Sequence, residues 1–219
     1  MSINSKMTAI ADAIRGKTGG TETMTLDAMA EAIASIQTGG GADELNEIMA
    51  KFASRTLTEV YFEGITIINM GRIFNAQTLL ETIHLPNLEE ITGWYTFEEC
   101  HKLTSLVLPK LRTYGSNSGG VCKNCISLPM VDFPKLGKIC GGDFAGCVAL
   151  KVLVLRLDKV CTLANKNAFD GTPFASGGTG GTVYVPQALI AEYQQATNWS
   201  TLYSAGTCNF VAIEGSEYE

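Results

Sequence analysis

The sequence predicts an α+β solenoid of about five stacked coils, closed by a C-terminal αβ cap and preceded by short N-terminal helices. Three observations predict this fold class: a leucine-based unit that recurs every 22 to 25 residues, apolar residues at helical spacing before the first unit, and a change of pattern after the last one. Each unit is too small to bury its apolar side chains alone, whereas stacked units bury them together.

The repeat occupies residues 57–173 and aligns on five leucines, namely Leu57, Leu80, Leu103, Leu128 and Leu150. Apolar residues follow each leucine at offsets of 3, 5, 8 and 11, and the alternation around offsets 3 and 5 is typical of a short strand. Proline follows that strand in three units, where it would end strand pairing. The fifth unit is one residue shorter, which assigns its last apolar positions to Leu157 and Val160. Two longer stretches, 115–120 and 162–169, are expected to bulge from the solenoid.

A second motif, Phe-x-x-Cys-x-x-Leu, leads each unit into the next leucine. Small apolar thiols suit a tight interior turn, and the motif has three of them: Cys100, Cys125 and Cys147. Cys122 and Cys125 also form a CxxC, the spacing of a zinc or redox site. Because Val121 is assigned to the phenylalanine position of that unit, we interpret the CxxC as a coincidence of register. A zinc site would need Cys140 or Cys147 as further ligands and no histidine lies nearby, so we expect neither a metal nor a cofactor.

A second cysteine pair follows the last apolar position of two neighbouring units. Cys140 and Cys161 are therefore expected to lie one above the other, at about the 4.8 Å spacing of paired strands. Two stacked thiols and a disulfide are both compatible with this placement. The cysteine count is seven, an odd number, and the first residues have no secretory signal, so we expect mainly reduced thiols.

The chain before the repeats divides into two segments. Residues 1–38 are expected to form two short helices for docking or oligomerisation, whose apolar faces hold Met7, Ile10, Ile14, Leu26, Met29, Ile33 and Ile36. Two helices this short need a partner surface to bury those faces. Residues 39–56 combine a glycine-rich linker with a third helix, whose apolar stripe would either cap the first coil or oligomerise.

The last segment, residues 174–219, is expected to be the cap. It contains a strand ("TVYV"), a helix opened by Pro186, a packed Trp199 and a final strand ("NFVAI"). Terminal units of a solenoid differ from the others because they cover its open end.

Composition restricts the class of partner. Hydrophobic residues make up 46% of the chain and charged residues 17%, which indicates a globular protein. The formal net charge of −6 argues against nucleic-acid binding, since phosphate recognition needs a basic face. The longest apolar runs are too short to span a bilayer, so we expect no membrane insertion.

If the repeats bind a partner, the outward positions of their strands form the default surface. One row is expected to hold Glu59, Thr82, Ser105, Met130 and Val152, and a second row Tyr61, His84, Val107, Asp132 and Val154. The rows become apolar toward the C-terminal end, and an exposed apolar strip favours contact with another protein or a neighbouring subunit. Tyr61, His84 and Asp132 would suit a sugar or a peptide. An inert solvated face is the alternative.

The repeat unit and its Phe-x-x-Cys-x-x-Leu turn resemble the BspA-like leucine-rich repeat family. The tail "VYVPQALIAEYQQATNWSTLYS" is similar to the end-cap common on such arrays, so the resemblance covers residues 57–213. It implies a leucine-rich-repeat solenoid.

The segment "MTAIADAIRGKTGGTETMTLDAMAEAIASI" resembles a short helical segment at the start of many bacteriophage tail and virion proteins. That resemblance implies docking to other virion proteins, and a homo-oligomer for which a trimer is favoured. It also implies localisation in the virion, assembled in the cytoplasm of the host bacterium.

Together, the resemblances imply a bacteriophage virion structural protein, a tail, baseplate or fibre component. It would display its repeats for host-surface attachment or protein–protein interaction, with a host cell-surface glycan or protein as partner. A bacterial surface adhesion protein and a purely decorative virion protein remain as alternatives. An enzyme is not expected: His84 and His101 are the only histidines, and the adjacent acid pairs are typical of solvated turns.

Overall fold

The computed structural model describes residues 50–114 and 119–219. The docking residues assigned to the N-terminal helices, from Met7 to Ile36, lie outside the described residues. The described chain begins with a helical turn at residues 50–53.

One parallel sheet of seven strands runs the length of the described chain. Its strands, in spatial order, are β1 (Glu59–Tyr61), β3 (Thr82–His84), β5 (Ser105–Val107), β7 (Met130–Asp132), β9 (Val152–Val154), β11 (Gly181–Val185) and β12 (Cys208–Ala212). The central residue of each three-residue strand is buried and its two neighbours point to the other face. Parallel order and constant register show a repeat fold, in which each unit adds one strand.

Shorter strands form the second side of the coils. They are β2 (Ile67–Ile68), β4 (Glu90–Ile91), β6 (Thr113–Tyr114), β8 (Lys138–Ile139) and β10 (Thr162–Leu163). β2, β4 and β6 form one parallel sheet, and β8 pairs with β10 in another. The leucines and isoleucines of the repeat fill the space between the two sides, and most of them are fully buried.

The fifth coil differs from the sequence-based alignment. Ile139 pairs with Leu163, so Leu163 and not Val160 is the last apolar position of that coil. The extra residues therefore lie before β10, whereas the alignment placed an insertion at 162–169. As a consequence Cys161 does not stand directly above Cys140, and the structure leaves both as free thiols.

The phenylalanine position before β7 also differs from the prediction. The amide of Cys122 donates to the Asp143 carbonyl, as the amide of Phe144 donates to the Ala168 carbonyl in the next coil. Cys122 therefore occupies the phenylalanine position, and Val121 precedes it. The CxxC is a Phe-x-x-Cys turn in which cysteine replaces the ring.

The turn cysteines bond to the backbone of the preceding coil. Cys100 Sγ donates to the Phe74 carbonyl at 3.2 Å, and Cys125 Sγ donates to the Phe97 carbonyl at 3.1 Å. Cys147 Sγ makes the same bond to the Cys122 carbonyl at 2.9 Å. Each of these carbonyls also accepts a backbone amide from its own turn, so the thiol adds a second hydrogen bond that joins neighbouring coils.

The C-terminal segment contains two short helices, α1 (Ile190–Gln195) and α2 (Trp199–Ser204), between β11 and β12. Pro186 precedes a 3₁₀ turn at Gln187–Leu189 rather than opening the α-helix itself. A further 3₁₀ turn, Lys166–Phe169, lies at the corner after β10. Strands β11 and β12 thereby continue the seven-stranded sheet beyond the last repeat.

Candidate interaction surface

The ten surface positions suggested by the repeat lie on one face of the seven-stranded sheet, which we call the display face. The register aligns them in two rows, with Glu59, Thr82 and Ser105 in the first and Tyr61, His84 and Val107 in the second. Met130 and Val152 continue the first row, and Asp132 and Val154 the second. A solenoid presents such rows side by side because its parallel strands repeat at one spacing.

The C-terminal segment extends both rows. Thr182 and Asn209 continue the first row and Tyr184 and Val211 the second, because β11 pairs with both β9 and β12. The repeat alignment missed these four residues, since the segment breaks the leucine pattern. The signal that could have found them is the alternation in "TVYV" and "NFVAI".

The N-terminal third of the display face is polar and aromatic. Tyr61 donates its hydroxyl to Glu63 Oε1 at 2.8 Å, which raises the pKa of Tyr61. Its ring meets the ring of His84 edge-on, with 4.7 Å between centroids. Glu59 is exposed at the start of the first row. Aromatic edges beside hydrogen-bonding groups suit a sugar or a peptide backbone.

An ion pair lies beside the second row. Arg156 donates to both carboxylate oxygens of Asp132, with its shortest distance, 2.8 Å, between Nη2 and Oδ2. The bond to the carboxylate raises the pKa of Arg156. Sequence analysis missed Arg156, although it stands two residues after the end of β9, at the position where three other units have proline.

Val154 is the one predicted position that the structure removes from the exposed surface. Its side chain is fully buried, whereas Val107 in the same row is 38% exposed. In the register Val154 lies between Asp132, held by Arg156, and Tyr184, whose ring packs on Tyr218 at 4.6 Å. The apolar part of the display face therefore consists mainly of Val107, Met130 and Val152.

A shallow groove opens at the C-terminal end of the first row. Its lining includes Val152, Thr182 and Asn209 from the first row, three glycines, and the side chains of Lys151 and Tyr203. Tyr203 is 39% exposed, so its ring is accessible to a partner. The groove combines one aromatic ring with several hydrogen-bonding groups.

A separate cluster lies away from the display face, at the corner after β4. Trp94 is 55% exposed, and the cations of Arg72 and Lys123 both lie over the ring of Tyr95, at 5.0 and 5.4 Å from its centroid. Both cations share the buried carboxylate of Glu98. Sequence analysis did not identify this cluster, because its members come from three different coils.

The cysteines do not offer a nucleophile. All seven are buried free thiols. Burial raises the pKa of Cys100, Cys161 and Cys208 to about 12, so these thiols stay protonated at neutral pH. Within residues 50–114 and 119–219, no group of three or more His, Cys, Asp or Glu side chains is arranged to hold a metal ion. Over the same residues, no helix is both long enough and apolar enough to cross a membrane.

Comparisons with known proteins give two similar solved structures. A leucine-rich cell surface protein from Faecalibacterium prausnitzii is 18% identical, with a TM-score of 0.36, over 64% of this chain and 35% of that one. A leucine-rich repeat protein from Bacteroides ovatus is 19% identical, with a TM-score of 0.38, over 73% of this chain and 46% of that one. The chain thus spans less than half the length of either protein. No family model and no curated protein matches it.

Proposed function

We propose that this chain is a BspA-like leucine-rich repeat protein whose display face binds a protein or glycan on a cell surface. The observation that carries the proposal is the two-row face itself, which mixes exposed apolar, aromatic and charged side chains on rigid strands. Contacts held on strands need little ordering on binding, so even modest patches are effective. The role is recognition, without catalysis.

The bacteriophage virion is the setting that we propose, with attachment to the host as the task. The resemblance of residues 1–38 to virion segments supports this setting, and the docking residues Met7 to Ile36 would hold the chain on the particle. Several copies on one particle, for which we favour a trimer, would turn a weak single contact into firm attachment. A bacterial surface adhesion protein would use the same display face.

The proposal is tested by staining a broad panel of bacterial strains with the fluorescently labelled full-length chain. We expect certain strains to bind it, and we expect Val107→Asp with Met130→Asp to reduce staining at least about tenfold, because a charge buried at an interface lacks a partner. A matched control is Ile126→Asp with Val148→Asp. These residues are 42% and 59% exposed and lie in turns outside the display face.

The control variant should stain like the wild type. If the display-face variant also stains like the wild type, the proposed surface is wrong. If no strain in the panel is stained, a decorative role becomes the better hypothesis.

A second experiment separates the two settings. Antibody labelling of purified phage particles should detect the chain, and Ile10→Asp with Ile33→Asp should remove it from the particle while the repeats stay folded. Detection on bacterial envelopes but not on particles would favour the adhesion protein.

A further inference from the structure

Two valines in the same row of the display face differ completely in exposure. Val107 is 38% exposed and Val154 is fully buried, although each follows a buried leucine on a parallel strand. The strand geometry is the same, so the difference comes from side chains that lie over the sheet at β9. Side chains from elsewhere in the molecule therefore cover Val154, an apolar residue that the strand alone would leave exposed on the display face.

We attribute this burial to two contacts whose residues flank Val154 in the strand register. On the β7 side, Arg156 is fixed against Asp132. On the β11 side, the ring of Tyr184 packs on the ring of Tyr218, with 4.6 Å between centroids and 59° between planes. Tyr218 belongs to residues 214–219, which follow the last strand and which we call the strap. The strap therefore places an aromatic ring on the display face.

The strap is only lightly attached to the rest of the molecule. Most of its hydrogen bonds are local, such as those from Ser216 to the Ile213 carbonyl and from the Tyr218 amide to Ser216 Oγ. Among residues 50–114 and 119–219, its one hydrogen bond to the body beyond Ile213 is exposed and runs from the Gln187 amide to Glu214 Oε2 at 2.9 Å. Gly215, at a φ of 77°, forms the turn through which the strap could swing. Segments with so few buried contacts open at low free-energy cost.

We propose that the strap reversibly covers a docking position at Val154 and Tyr184, and that the partner for this position is a chain segment that presents an aromatic side chain. This inference rests on the proposed function of the display face and names the chemistry of one of its partners.

The chemistry of the partner follows from what already occupies the position. Tyr184 offers a ring for an offset or tilted aromatic contact, and Val154 adds an apolar side chain beside it on the neighbouring strand. Arg156 already binds Asp132 through two nitrogen atoms, so its guanidinium is less available to a carboxylate. The position is therefore specific for a ring rather than for a charge. An external segment would have to displace Tyr218 and present the same group.

The first test measures the cover itself in the full-length chain. Valine methyl groups are labelled for NMR, and a soluble paramagnetic agent reports their exposure. We expect the Val154 signals to be protected in the wild type and in Tyr218→Phe, which keeps the ring. In Tyr218→Ala they should broaden like those of Val107. If Val154 stays protected in Tyr218→Ala, the strap is not the cover and the proposal fails.

The second test measures docking, with a labelled peptide of residues 213–219, IEGSEYE, which contains the strap and the preceding Ile213, added to the same proteins. Because the strap competes with the peptide, binding to Tyr218→Ala should be about tenfold tighter than binding to the wild type or to Tyr218→Phe. The control peptide IEGSEAE should not bind. If IEGSEYE binds Tyr218→Ala no better than IEGSEAE does, the uncovered position is not a docking site.

The two strap tests can fail or succeed independently of the cell-staining test of the proposed function. Cell staining that depends on Val107 and Met130 would survive if both strap tests failed. Conversely, peptide binding to Tyr218→Ala requires no bacterial receptor. Tyr218 lies on the surface, so each variant should fold, which its circular dichroism spectrum would verify.

Discussion

The two ends of the solenoid are closed by different means. At the C-terminal end, side chains hydrogen-bond to the buried backbone of the last coil: the Cys161 amide donates to Tyr193 Oη at 2.8 Å and Trp199 Nε1 donates to the Cys161 carbonyl at 2.7 Å. At the other end, Phe52 and Leu57 are only half-buried and Ile67 is 55% exposed. In a repeat fold each coil contacts only its neighbours. The end whose last coil is covered more completely should therefore contribute more to the free energy of unfolding.

The aromatic rings of the core are also packed more completely at the C-terminal end than at the first coil. Near the C-terminal end Phe169 contacts Phe144, Phe174 and Trp199, all of them fully buried, at 5.1 to 5.9 Å. At the first coil, Phe74 is flanked by Phe97 on one side and by the half-buried Phe52 on the other. Gln77 donates to the Phe52 carbonyl, yet its buried Oε1 has no hydrogen-bond partner among residues 50–114 and 119–219. The first coil is thus the weaker end of the described chain.

The largest expected effect comes from a substitution that destabilises the C-terminal end, the stronger of the two. Trp199→Ala should lower the free energy of unfolding by about 3–5 kcal/mol, because it removes a fully buried ring and leaves the Cys161 carbonyl without its donor. Phe52→Ala should cost only about 1 kcal/mol, since its ring is half-exposed. Urea denaturation followed by circular dichroism would measure both. Equal losses would show that the two ends contribute alike.

The next effect concerns the residue before the phenylalanine position, which is Thr96 in one coil and Asp143 in another. Both are fully buried, and the Asp143 carboxylate accepts the Cys140 amide at 2.6 Å. Burial nevertheless raises the pKa of Asp143 from 3.8 to about 7, although the backbone amides oppose the rise. The folded state therefore keeps this proton to a higher pH than the unfolded state does.

The sign of the pH dependence follows from that difference. The stabilising contribution of protonated Asp143 is complete below about pH 4 and is lost as the pH rises through 7, which amounts to about 4 kcal/mol at pH 8. Asp143→Asn should remove this part of the pH dependence. Urea midpoints at pH 4, 6 and 8 would measure it, and parallel curves for the two proteins would contradict the assignment. Thr96→Val is the matched control, because it removes a buried hydroxyl that does not titrate in this range.

A smaller effect tests the ring exchange within one coil. Where other coils have a phenylalanine before the turn cysteine, this coil has Cys122, and its ring is Phe133, which stacks on Phe144 at 6.4 Å. Cys122→Phe alone should overfill the core and cost about 1–3 kcal/mol. Adding Phe133→Leu should recover most of the loss, because the pair then matches Phe97 and Leu108. If a double-mutant cycle showed no coupling energy between positions 122 and 133, the idea that Phe133 replaces the missing ring at position 122 would be wrong.

The sequence was sufficient for the parts of the fold that depend on periodicity. Alternation around each repeat leucine placed both rows of the display face on one side of the sheet, since strand side chains alternate with a period of two. It failed at Cys122, where the motif lost its ring, and at Leu163, where extra residues shifted the register. In both places the hydrogen bonds between coils, which a single sequence does not display, decide the alignment.

The burial of Val154 was beyond the reach of the sequence for a related reason. Its cover involves Arg156, Asp132, Tyr184 and Tyr218, which are separated by up to 86 residues in the chain. Local patterns carry information about which face a residue occupies, and little about what lies over that face. The corner cluster around Trp94 was missed for the same reason.

The smallest effect compares two coils at one backbone position, directly before the turn cysteine or its substitute. Ala76 and Gly171 both occupy it with a positive φ, of 57° and 71°. A β-carbon costs about 1–2 kcal/mol in this conformation, and part of that is offset because glycine gains more freedom in the unfolded chain. Ala76→Gly should therefore raise the free energy of unfolding by about 0.5–1 kcal/mol.

Gly171→Ala is the reciprocal change at the same position. An added β-carbon there would meet only the backbone of Gly146 at 3.6 Å, an ordinary contact, so the backbone angle alone should set the cost. We expect a loss of about 1 kcal/mol, measured by the shift of the urea midpoint at constant slope. Opposite signs at Ala76 and Gly171 would show that both coils obey one backbone rule. If both substitutions lowered the free energy of unfolding, the alanine at position 76 would not be strained. The turn of the first coil would then have relaxed around Ala76, at the weaker end of the solenoid.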